Sequence, residues 1–160
     1  MGAQELSSVL WRERTLLDLL TFKLEEEQLL LTAGRTRWIQ HATREVEQVV
    51  EQLQAIALQR DVAAAEVATE WELPEGTGLP GLAAAAPSAW KDIFLSHLAA
   101  LGNQTRRIQE LRDANEQFLR AASRSSQETI ATMQREPGLY NSSGRSEAAP
   151  GSASLLDQKL

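Results

Sequence analysis

Between Thr36 and Trp71 the chain contains neither glycine nor proline. Across that stretch Ala42, Val46, Val49, Leu53, Ile56, Ala63 and Val67 fall at alternating steps of three and four residues. Arg60 is the one polar intruder, while Gln40, Arg44, Glu45, Glu47, Glu51 and Gln59 fill the positions between. Such spacing puts the apolar side chains on one stripe of a helix about 50 Å long at 1.5 Å per residue. An isolated stripe of that length must be covered by other helices.

The flanking segments supply them. From about Gln4 to Ala33, Leu6, Leu10, Leu17, Leu20, Leu24 and Leu31 recur at helical steps, with Glu13 and Glu27 at the steps between. Val9, Leu16, Leu19 and Leu30 widen that stripe enough to pack against two neighbours. Gly34 ends the segment, because glycine takes the left-handed cap conformation without a side-chain clash. A short turn there sends the second helix back along the first as an antiparallel hairpin. Pro74, Pro80, Gly76, Gly78 and Gly81 mark residues 72–87 as a loop, with room for a helical turn from Leu82 to Ala86. A third helix is predicted from Ser88 to Met133, with Phe94, Leu98, Leu101, Ile108, Leu111 and Phe118 as its stripe. Gly102 and Asn103 weaken its middle. After Phe118 the stripe thins to Ala121, Ala122, Ile130 and Met133, so that end lacks a good partner within the chain. The expected fold class is all-α: a hairpin plus a long third helix, forming a helical bundle over residues 1–136. A tail at 137–160, rich in Ser, Gly and Ala, is expected to be flexible.

Charge and composition exclude several functions. Residues 1–75 carry 7 basic and 14 acidic groups, residues 76–136 carry 7 and 6, and the whole chain is at −6. That field repels phosphate backbones, and with aromatics at 5% and one tyrosine there is no stacking platform, so no nucleic-acid partner is expected. The absence of cysteine removes disulfides, thiolate metal sites and a cysteine nucleophile. No segment reads as a signal peptide or membrane span, so the cytoplasm is the expected location, without stable membrane insertion.

Catalytic patterns are weak. His97, in Ser-His-Leu-Ala-Ala-Leu-Gly, invites comparison with histidine phosphotransfer bundles, but Ala100 and Leu101 stand where a lysine and a glycine would follow. His41 fits no better. Glu25-Glu26-Glu27 splays around a helix instead of converging on one pocket, and Trp38 and Phe94 occupy the positions three before each histidine, where di-metal bundles place glutamate. No enzymatic activity, catalytic residue, metal or cofactor is expected. Arg106, Arg107, Arg112, Arg120 and Arg124 form a basic cluster interleaved with Glu110, Asp113 and Glu116, which reads as a solvated face. Trp11, Trp38, Trp71 and Trp90 lie near helix ends or flank the loop, suited either to end-packing or to protein binding.

The run from Leu6 through Trp11-Arg-Glu-Arg, Lys23-Leu-Glu-Glu-Glu-Gln and on to Gly34 resembles the FlgN-like flagellar export chaperones, actinobacterial versions in particular. So do Glu45 to Glu70, Leu111-Arg-Asp-Ala-Asn-Glu-Gln-Phe-Leu-Arg120, and Tyr140 before Gly144. The likeness covers nearly all of residues 5–145, although the loop from Leu73 to Pro87 is long and proline-rich and departs from the family pattern. The resemblance implies a chaperone of flagellar type III secretion. Its partners would be the hook–filament junction proteins, held unassembled, and the flagellar export apparatus. It further implies substrate contact on the third helix, at Leu111, Phe118, Ala122, Ile130 and Met133, with Tyr140 a candidate for docking on the export gate. A long hairpin that exposes apolar surface also self-associates readily, so a homodimer is compatible with this reading. The rival is a structural helical-bundle or coiled-coil protein unrelated to flagella.

Overall fold

The computed structural model describes residues 2–135, which hold four helices: α1 Gly2–Thr32, α2 Thr36–Glu70, α3 Leu79–Ala85 and α4 Ser88–Arg135. The chain is all-α over these residues, as the spacing predicts. The predicted tail from 137 onward lies outside the described residues. The described residues divide after Phe118 into two units, and α4 contributes to both.

The first unit is built on α1 and α2, and each helix ends in the same way. At the end of α1, Arg35 N–H donates to Leu30 O at 2.9 Å and Gly34 N–H to Leu31 O at 3.2 Å. Gly34 takes a φ of 66°, the left-handed value this cap requires. At the end of α2, Leu73 N–H donates to Ala68 O at 2.8 Å and Glu72 N–H to Thr69 O at 3.2 Å. Here the left-handed position is held by Glu72, at φ 55°, although a side chain there is strained.

The stretch 72–87, expected to be a loop, contains α3. Its sequence Leu-Pro-Gly-Leu-Ala-Ala-Ala has no readable period, and its proline stands in the first turn, where no backbone donor is required. Leu82 and Ala83 then bury completely. Pro87 precedes α4 directly, and its carbonyl accepts from Trp90 and Lys91 N–H at 2.9 and 3.0 Å.

Two apolar clusters hold the unit together. One joins Leu6 and Leu10 of α1, Ala63 and Val67 of α2, Leu82 and Ala83 of α3, and Phe94 of α4. The other joins Leu20 and Leu24, Val49, and Ile108 with Leu111. Glu13 and Arg60, the polar residues interrupting the α1 and α2 stripes, meet each other: Arg60 donates to Glu13 Oε1 at 2.7 Å. Glu13 is buried, and desolvation pushes its carboxyl above the usual value despite the opposing pull of Arg60. Glu27 likewise accepts from Thr43 of α2 at 2.8 Å and from Asn115 of α4 at 3.1 Å, so one carboxylate ties three helices. Asn115 also donates to Leu24 O at 2.9 Å.

Candidate partner-binding surface

Within the first unit, α4 buries Phe94, His97, Ile108, Leu111 and Asn115, spaced at multiples of the helical repeat. Farther along the helix, Phe118, Ala122, Ile130 and Met133 stand 3, 7, 15 and 18 residues after Asn115, and all four are exposed. Every residue from Glu116 to Arg135 is exposed. Phe118 is 41%, Ile130 55% and Met133 71% accessible.

The five residues singled out on this helix therefore divide. Leu111 is only 2% exposed, packed with Leu20, Leu24, Val49 and Ile108. Its face is already occupied by α1 and α2, so it stands apart from a contact surface. Phe118, Ala122, Ile130 and Met133 share one solvent-facing stripe. Leu119, which the sequence reading passes over, joins them as another exposed large hydrophobic residue. Its position four residues after the buried Asn115 is the signal that could have found it. Tyr140 lies outside the described residues.

Among the histidines, His97 is 1% exposed. Its Nδ1 lies 3.5 Å from an Arg14 nitrogen, and its Nε2 lies 3.1 Å from Ser7 Oγ. A guanidinium can only donate, so Nδ1 accepts and Nε2–H donates to the hydroxyl. The edge of Trp11 closes the ring from the side at 5.1 Å, and Arg14 in turn lies 4.1 Å over the Trp11 ring. Burial first, and then the charge of Arg14, push the imidazole below its ordinary pKa. Both nitrogens being engaged, the ring is withheld from a phosphoryl donor. His41 is exposed and leans on Trp38 at 5.6 Å.

The tryptophans split into pairs. Trp71 and Trp90 pack against Phe94 at 5.9 and 5.8 Å, closing one end of the hairpin. Trp11 and Trp38 remain largely exposed. Among the described residues no His, Cys, Asp or Glu cluster could hold a metal ion, and no helix is long and apolar enough to cross a membrane. Within the arginine cluster of α4, Arg107 pairs with Glu25 of α1 at 3.0 Å and with Glu110 at 3.7 Å.

No curated protein and no solved structure matches the chain. The FlgN protein family matches residues 1–148, nearly the whole length. The chain thus belongs to the FlgN protein family, the flagellar export chaperones.

Proposed function

We propose that this chaperone acts in the cytoplasm, binds hook–filament junction proteins, keeps them unassembled and delivers them to the export apparatus. The observation that carries the reading is the run of exposed apolar residues on α4, Phe118, Leu119, Ala122, Ile130 and Met133, in line with residues that are buried upstream. A helical segment of a client would lay its own apolar stripe along these anchors, which recur at i, i+4 and longer helical steps. Because α4 is already helical to Arg135, this part of the surface needs no folding step at capture. The ordering cost falls on the client, which keeps the complex weak enough to be handed on. Tyr140 is proposed as a contact to the export gate.

Co-expression with the junction proteins of the same organism, followed by size exclusion with light scattering, tests the reading. A defined complex is expected for the native chain. Phe118→Asp with Ile130→Asp should abolish it while helical circular dichroism stays unchanged. Capture that survives the double substitution moves the contact elsewhere. A tight homodimer that binds no junction protein favours the structural-bundle alternative, in which a second copy covers the stripe. Tyr140→Ala is expected to weaken binding to the export gate alone, and normal gate binding by that variant ends the docking role.

A further inference from the structure

Charge is distributed unevenly around the hairpin turn. From Gln28 to Arg44 there is no acidic residue, while Arg35, Arg37 and Arg44 all fall there, inside a half of the chain that is otherwise strongly acidic. Every residue from Thr32 to Trp38 is exposed, so the turn is an open tip. None of the three arginines has an ion-pair partner among the described residues; Arg37 instead lies 4.8 Å over the Trp38 ring. Leu29, at 69% accessible, and Trp38, at 45%, add apolar surface on either side of Gly34. Arg37 and Arg44 lie seven residues apart, hence on one face of α2.

We propose that this tip docks on an anionic lipid bilayer surface. Arginine guanidiniums bind the phosphate layer, while an indole and a leucine side chain suit the boundary between headgroups and acyl chains. A convex turn also fits a deformable interface better than it fits a folded partner. In the cleft beside it, lined by Glu26, Leu30, Trp38, His41, Ala42 and Glu45, the two carboxylates are engaged by Lys23 at 3.7 and 2.8 Å and leave the arginines of the tip without a partner. The nearest glutamates along the helices are Glu27, seven residues before Gly34, and Glu45, ten after Arg35. At 1.5 Å per residue they stand roughly 10 to 15 Å back from the turn, at or beyond the screening length of physiological salt. An approach along the flank of the hairpin is repelled, and an approach by the tip is attracted, so the charge pattern dictates end-on contact. The proposal does not depend on which protein, if any, is carried.

Flotation of the full chain with vesicles of equal parts phosphatidylglycerol and phosphatidylcholine, against pure phosphatidylcholine, tests it. Binding to the anionic vesicles alone is expected, weakening as salt rises. Each arginine neutralised at the tip should cost about fivefold in affinity, so Arg35→Gln with Arg37→Gln reduces binding more than tenfold. The matched pair Arg106→Gln and Arg112→Gln on α4 should leave it unchanged, and Trp38→Ala should weaken binding without altering its salt dependence. Failure to float with anionic vesicles, or equal losses from both arginine pairs, overturns the proposal. Loss of export-gate binding in the tip variant, with no vesicle binding by the native chain, would make the tip a protein contact instead. Capture of junction proteins by the tip variant is expected to be normal, which separates this outcome from failure of the chaperone reading.

Discussion

At His97 the fold sets a polar ring in a site that disfavours its charge. Ser7, Trp11 and Arg14 all face it from α1, and Arg14 adds a positive charge to the burial. The folded pKa therefore lies below the ordinary 6.5, whereas the unfolded chain titrates near that value. Below 6.5 the unfolded state takes up the proton first. The stability contributed by the neutral ring is complete above 6.5 and is lost as pH falls from there toward the lower folded pKa. Urea unfolding across that range should show stability declining with acidity, and His97→Gln should flatten that limb; an unchanged slope would place the titrating group elsewhere. The spacing of residues does not find this site, because the partners of His97 come from another helix and periodicity does not reveal axial alignment. Glu13 and Arg60 make the same point: each was visible as a break in its own stripe, but their 2.7 Å contact depends on how α1 and α2 are aligned.

Among the elements, the helix ends carry the clearest local energetics. The α1 and α2 caps share a hydrogen-bond pattern, yet one uses Gly34 and the other Glu72 in the left-handed region. Glu72→Gly relieves the side-chain strain and should raise stability by about 1 kcal/mol, net of the added freedom of the unfolded chain. Gly34→Ala should lower it by a similar amount, since the added methyl meets no neighbouring atom and the cost is one of backbone conformation. Chemical denaturation of the two variants measures both signs. Only one of these caps was legible in the sequence: Gly34 announces itself, whereas Trp-Glu-Leu-Pro at the end of α2 shows only where a proline stops it. For a related reason α3 was read as at most a turn. Seven residues are too few for a period, and what stabilises them is the burial of Leu82 and Ala83 on distant parts of the chain.

For the molecule as a whole, α4 carries both covered and uncovered large apolar residues. Leu111 and Phe118 lie one heptad apart and were read together as contact residues, since spacing alone cannot tell a covered position from an uncovered one. Leu111→Ala should cost about 2 to 5 kcal/mol by opening a hole among Leu20, Leu24, Val49 and Ile108. Met133→Ala should stay within about 0.5 kcal/mol. Thermal or denaturant melting of the two variants would distinguish the roles, and a large loss at Met133 would mean that its surface is covered in solution. The placement of the tryptophans carries a further consequence. All four precede Ser96, with Trp71 and Trp90 against Phe94 and Trp38 at the hairpin turn, and the stretch from Phe118 to Met133 contains none. Intrinsic emission on selective indole excitation thus reports unfolding of the first unit and events at the turn. An event confined to Phe118–Met133, such as the proposed client contact, is optically silent by comparison, and watching it requires a dye or an indole installed on that helix.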